Sequence, residues 1–224
     1  VIIVAIPVKD LVNAKQRLVP VLTGPERSAL ARTMLRDVLA AVRQAHVDVV
    51  WVVTRDAAVT AVATDLGCRV LAEAENRGHT AAVAHAQARA VAEGATRFIT
   101  VPGDVPCVAT AEIDALVTAV ASRSAVAVFT PSRSGLGTNG VALSPPDLMP
   151  LRFGEPSFPD HLAAARARRL VPRTLPLAGL GLDIDDADDL RALLAEGAAT
   201  ESAHLLRTWG IDERLRDAPT EAAR

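Results

Sequence analysis

The chain opens on VIIVAIPV, an unbroken apolar run rich in β-branched residues, the pattern of a strand buried on both faces of a parallel sheet. Thr23-Gly24-Pro25-Glu26 then starts a helix, with Thr23 or Gly24 as its cap and Pro25 in its first turn. Leu30, Met34, Val38 and Val42 recur every four residues along one face of this helix, which ends near His46. A second buried strand follows over 47–54, and a helix over 55–66 is closed by Gly67. The same alternation predicts a strand over 68–71, an Ala-rich helix over 80–93 ending at Gly94, a strand over 97–101, a helix over 111–121, and strands over 125–130 and 139–143. Beyond them the rhythm loosens into a loop over 152–158, a helix over 159–168, a strand over 170–175, and a strand, acidic turn and helix over 180–197.

Strands alternating with helices imply an α/β fold with a mostly parallel sheet covered on both sides. No repeat or low-complexity linker divides the 224 residues, so the expectation is a single domain over 1–224, with 200–224 as a C-terminal helical appendage. In such sheets ligands bind beyond the carboxyl ends of the strands, which directs attention to the loops at 8–22, 75–80, 102–107, 131–138 and 183–186.

Composition narrows the function. A net charge of −2 gives no global field for nucleic acid or an anionic membrane, and 3% aromatics with no Tyr argue against a stacking platform for single strands. Cys68 and Cys107 match neither zinc-ligand spacing nor a disulfide framework, and both read as small packed hydrophobes. The apolar runs fall well short of the roughly 20 residues that span a bilayer, and the N-terminus shows no export signal. The expectation is a cytoplasmic protein with neither nucleic acid nor membrane as partner, and a monomer and a homodimer both remain open.

Of the 24 basic residues only Lys9 and Lys15 are lysine, and both lie in PVKDLVNAKQRL after the first strand. With Arg17 they place three cations in nine residues, enough to neutralise a triphosphate, or else a solvated loop paired with Asp10 or Glu26. The segment lacks the glycines of a P-loop or dinucleotide fingerprint. Asp104, in VPGDVP, follows a buried strand in a loop stiffened by two prolines, a place to hold a hard cation or to cap a turn. In an extended LDIDD, Asp183 and Asp185 point the same way with Cα atoms about 7 Å apart, suited to sharing metal ions. Asp186, Asp188 and Asp189 open the following helix and read as caps.

Gly135, Gly137 and Gly140 let backbone N–H groups approach an anion, and Thr138 and Ser157 add hydroxyls; an ordinary hairpin loop explains the glycines equally well. Gly78-His79-Thr80 starts the Ala-rich helix, where free N–H groups suit a phosphate or the edge of a base. His79 and His85, six apart, do not share a helix face, and His161 reads as a cap or surface residue.

Taken together, IPVKDLVNAKQRL, ALARTMLRDVL, VPGDVP, GTNGVALSP, RFGEPSF followed by His161, and LDIDDADDL resemble the 2-phospho-L-lactate guanylyltransferase family of coenzyme F(420) biosynthesis, from about residue 2 to 195. The resemblance implies a three-layer α/β/α nucleotide-diphospho-sugar transferase (Rossmann-like) fold with a mixed, mostly parallel sheet, related to the molybdopterin guanylyltransferases. It implies transfer of GMP from GTP to a three-carbon phosphorylated acid, namely 2-phospholactate, phosphoenolpyruvate or 3-phosphoglycerate, with release of pyrophosphate. Carried over by motif, Lys9, Thr138, Gly154 and Ser157 would contact the acid, and Asp104, Asp183 and Asp185 would hold Mg2+. Lys15, Arg17, Gly78, Thr80 and Gly103 would serve the nucleotide; Lys9, Lys15, Arg17 and Asp104 would carry the catalysis. Where the family commonly shows Gly-Leu-Asn this chain reads Gly78-His79-Thr80, without the Asn amide, and Ala-Asp-Leu-Pro becomes Gly103-Asp104-Val105-Pro106. The competing readings are a nucleotidyltransferase for another acceptor or base and a non-catalytic nucleotide-binding regulator.

Overall fold

The computed structural model describes residues 1–11, 14–75, 77–121 and 125–217, so Val12 and Asn13 of the first loop, Asn76 of the second, residues 122–124 and the tail from 218 lie outside it. Among the described residues strand and helix alternate as β1 (Ile2–Pro7), α1 (Gly24–Gln44), β2 (Val49–Thr54), α2 (Ala57–Asp65), β3 (Arg69–Ala72), α3 (His79–Ala92), β4 (Arg97–Thr100) and α4 (Thr110–Ala119). There follow β5 (Val126–Pro131), β6 (Thr138–Ser144), α5 (Ser157–Ala167), β7 (Arg173–Thr174), α6 (Ala187–Glu196), α7 (Glu201–Thr208) and α8 (Ile211–Asp217). The strands form one mixed sheet in the order β3-β2-β1-β4-β6-β5-β7, parallel except where β6 runs against both of its neighbours.

Every residue of β1 is buried, which explains a run with no polar alternation. Ile2, Val4 and Ile6 face one core, shared with α1, α2, α4 and α6; Ile3 and Ala5 face the other, shared with α3 and α5. Helices therefore cover both faces, giving three layers. Thr23 and Glu26 close a reciprocal capping box at the start of α1, whose Leu30, Met34, Val38 and Val42 are fully buried and contribute about 2 kcal/mol each. The last two helices join the first core through Ala203, Leu206, Ile211 and Leu215, and the Asp37 carboxylate of α1 accepts hydrogen bonds from Glu201 N, Ser202 N and Ser202 Oγ. Among the described residues no helix is long and apolar enough to cross a membrane.

Two expected strands are corrected. The one over 170–175 shrinks to Arg173–Thr174, because Pro172 and Pro176 bracket it and neither offers an N–H to the ladder. None forms over 180–184. There the backbone is taken up outside any sheet: Gly179 N and Leu180 N donate to the Glu112 carboxylate at 2.9 and 3.1 Å, and Ile184 N donates to Asp104 O at 3.1 Å. Gly179 lies so close to the loop after β4 that a Cβ on it would sit 2.1 Å from Cys107 O. This contact seats the acidic segment beside Asp104.

His161 is 2% exposed, correcting the expectation of a cap or surface residue. Its ring stacks on Phe129 at 5.3 Å and meets the edge of Phe153 at 5.3 Å. Burial pushes its pKa down to about 4.

Two outcomes follow from this packing. Gly179→Ala is expected to lower unfolding free energy in urea by about 2–3 kcal/mol, because backbone rather than a mobile side chain blocks the methyl; an unchanged midpoint would show that the two loops separate freely. His161 stays neutral in the fold but takes a proton near pH 6.5 when unfolded, so its contribution is intact above that pH and declines by about 3 kcal/mol as pH falls towards 4. His161→Leu should therefore flatten the fall in urea midpoint between pH 7 and pH 4.5.

Candidate active site

The strand order places β1 between β2 and β4, so the chain leaves β1 in one direction and returns to its other side, opening a crevice at the carboxyl ends. The first loop is anchored at both of its described ends. Val8 N donates to Val53 O, Leu11 N to Asp56 Oδ2, and Ser28 Oγ to Leu11 O. Lys15 then adopts a left-handed backbone (φ 56°, ψ 49°) just before a 3-10 turn over Gln16–Leu18. That conformation is costly for a residue with a side chain, and here the side chain is firmly held.

The Lys15 side chain is only 8% exposed, and its Nζ lies 2.5 Å from Asp104 Oδ2 and 2.9 Å from Asp185 Oδ1. Burial alone would lower its pKa, but the Asp104 and Asp185 carboxylates outweigh burial and hold the ammonium above its ordinary value. Burial likewise favours neutral Asp104, yet the Lys15 charge keeps its carboxyl below the usual range. Gly103 sets the approach: a Cβ there would come 2.9 Å from Val8 Cγ2, so the loop after β4 packs this tightly on β1 only without a side chain. The lysine is thus paired with Asp104 and Asp185, and Glu26, its expected structural partner, is engaged by Thr23 and Arg214.

Asp183 completes the group. Its Oδ1 accepts from Asn139 Nδ2 at 2.9 Å; burial pushes its pKa up, and the charges of Asp104 and Asp185 add to the rise. The three aspartates therefore lie near enough to feel one another's charge, through loop geometry and not along a strand. Their donor set is oxygen only, which fits a hard divalent cation, and the Lys15 ammonium stands as the positive charge among them. Among the described residues no three metal-binding side chains are already drawn round one point.

A cleft of about 480 Å³ opens beside this group, in the range of small-molecule sites. Lys9, Lys15, Asp104 and Asp185 line it, with His79 and Met34 on its walls. Lys9 is exposed at the rim, whereas Arg17 is exposed on the 3-10 turn and is not part of the lining. Gly78, at φ 91°, starts α3 with no side-chain cap. Thr80 points elsewhere: its Oγ1 accepts from Phe153 N at 2.9 Å and donates to Phe153 O at 3.4 Å. Burial lowers the pKa of His79 to about 4.

Thr138 and Ser157 form a second cluster, with Ser157 Oγ donating to Thr138 Oγ1 at 3.3 Å. Gly154, at φ 119°, has open space where a side chain would stand, and α5 begins without a side-chain cap. The two clusters are joined twice. Thr138 and Asn139 are adjacent on β6 and project to opposite faces, and Phe153 touches both His79 and His161. Asn139 and Phe153 carry no functional signal in isolation. Each is legible only from its place, Asn139 beside Thr138 in GTNG and Phe153 inside RFGEPSF.

The model of the family described as "Guanylyl transferase CofC like" matches residues 2–224. Phosphoenolpyruvate guanylyltransferase of Rubrobacter xylanophilus is 38% identical over 86% of this chain and 93% of its own. 2-Phospho-L-lactate guanylyltransferase of Methanothermobacter thermautotrophicus is 37% identical over 90% of this chain and 88% of its own. Among solved structures, a candidate nucleotide-diphospho-sugar transferase of Desulfovibrio desulfuricans G20 superposes with a TM-score of 0.79 at 18% identity, covering 96% of this chain and 97% of that one, which establishes the fold. The chain belongs to the guanylyl transferase CofC-like family of nucleotidyltransferases.

Proposed function

We propose that the chain transfers GMP from GTP to the phosphate of a three-carbon phospho-acid in coenzyme F(420) biosynthesis, the acid being phosphoenolpyruvate, 2-phospho-L-lactate or 3-phosphoglycerate. The observation that carries this reading is the Lys15 ammonium bridging Asp104 and Asp185 at the mouth of the β1–β4 crevice. Relatives covering most of the chain are guanylyltransferases named for two of those acids. An acceptor phosphate oxygen attacks the α-phosphorus; the new O–P bond forms as the bond to pyrophosphate breaks. A phosphate dianion needs no general base at pH 7, so this chain's residues work by positioning and charge neutralisation.

Lys9 at the rim and Lys15 within the cleft offset the charge of two anions brought together. Arg17, exposed on the adjoining turn, extends that positive edge. Asp104, Asp183 and Asp185 would hold Mg2+, which supplies charge stabilisation on the phosphates. Gly78 and Gly103 let main chain approach the nucleotide, and Thr80 fixes the base loop through Phe153. Thr138, Gly154 and Ser157 hold the acid, next to the uncapped start of α5.

Incubation with each of the four nucleoside triphosphates, Mg2+ and the three acids, read as pyrophosphate release, should give turnover with GTP and at least one acid; turnover with another base only, or with none, overturns the reading. Asp104→Asn should lower that rate by about 100-fold or more with the circular dichroism spectrum unchanged. Asp183→Asn should separate stability from activity. The folded pKa of Asp183 lies above its unfolded value, so its ionised form costs stability at neutral pH. Removing the charge is expected to raise Tm at pH 7 by about 2–4 °C while turnover falls.

A further inference from the structure

The roles of both ring nitrogens of His161 are fixed by their neighbours. Arg152 N lies 3.0 Å from His161 Nε2, and a peptide N–H can only donate, so Nε2 is bare. A neutral ring then carries its proton on Nδ1, 3.0 Å from Thr138 Oγ1, and donates it to that oxygen. Ser157 Oγ donates to the same oxygen. Ser157 and His161 stand four residues apart on α5, one turn above the other on a single face, so both reach Thr138 together. With two donors on Oγ1 both of its lone pairs are occupied, and the hydroxyl proton of Thr138 must point away from them. Among the described residues nothing accepts it.

We propose that His161 is a positioning residue for guanylyl transfer, holding the Thr138 hydroxyl as a fixed proton donor aimed at an oxyanion of the acceptor acid. The inference rests on the reading that Thr138, Gly154 and Ser157 hold that acid. A free threonine hydroxyl rotates and serves equally as donor or acceptor, whereas phosphate and carboxylate oxygens only accept. Blocking the acceptor role in advance removes the unproductive rotamers before the acid arrives. Phe129 and Phe153 keep the ring from turning over, which preserves the assignment of its nitrogens.

Two measurements test this. In the intact enzyme, long-range proton–nitrogen correlation spectra of the imidazole should show a protonated Nδ1 and a bare Nε2 for His161; a protonated Nε2 overturns the proposal. Kinetically, Thr138→Val and His161→Leu should each raise KM for the acid about 10-fold, as expected for a lost hydrogen bond to a charged group. KM for GTP should move less than twofold in both. His161→Asn, which keeps an N–H at the δ position, should recover most of the loss and is also the variant to use if the leucine protein does not fold. The double variant should be no worse than Thr138→Val alone, since His161 acts through that hydroxyl. If Thr138→Val raises the acid KM and His161→Leu either leaves it unchanged or adds its own full cost in the double variant, the inference fails while the acid site stands. If Thr138→Val leaves the acid KM unchanged, the acid site itself is misplaced and the inference falls with it.

Discussion

One buried ammonium held by two carboxylates organises the carboxyl end of the sheet. Carboxylates from the loop after β4 and from the segment before α6 would repel one another at close range, and the buried Lys15 ammonium is what allows the partly exposed Asp104 and Asp185 to sit together. Its own desolvation is a heavy cost, offset because two full negative charges lie within hydrogen-bond reach. The surrounding structure is arranged to keep that geometry: a left-handed backbone at Lys15, a glycine at 103 that lets β4's loop press on β1, and the glutamate at 112 that pins the chain just ahead of the aspartates.

The sheet was largely legible in the sequence because buried parallel strands write themselves as apolar runs and helices as four-residue recurrences. β1, α1, β2 and α3 appear within two residues of where periodicity puts them. The acidic segment was not, and the reason is physical. Leu182-Asp183-Ile184-Asp185 alternates like a strand, but a strand needs a neighbour with free ladder groups, and the N–H groups of Leu182, Ile184 and Asp185 donate to Gly179 O, Asp104 O and the Asp189 carboxylate instead. Alternation reports which side chains are buried, not what the backbone pairs with. The ion pairs of Lys15 with Asp104 and Asp185 are not legible either, because nothing in PVKDLVNAKQRL says where a flexible side chain ends.

His161 shows a second limit. Its position after RFGEPSF resembles a helix cap, yet four residues into α5 it points inward, into a slot made by aromatic rings from β5 and from the preceding loop. Sequence distance hides the contact, since Thr138 and His161 are 23 residues apart. The same loop supplies Phe153, whose main chain is clasped by Thr80, so the start of α3 and the loop before α5 are parts of one hydrogen-bonded unit.

An ammonium carries three N–H bonds in tetrahedral directions, and at Lys15 two of them are spent on Asp104 and Asp185. The remaining one has its direction dictated by the other two, so this cleft-lining residue carries a single oriented bond rather than a freely spinning charge. A guanidinium is flat, and its forked donors match one carboxylate edge-on, a shape unsuited to a narrow space between two acids. In a chain that writes 22 of its 24 basic residues as arginine, the survival of lysine at this position is explained by the solid geometry of one nitrogen.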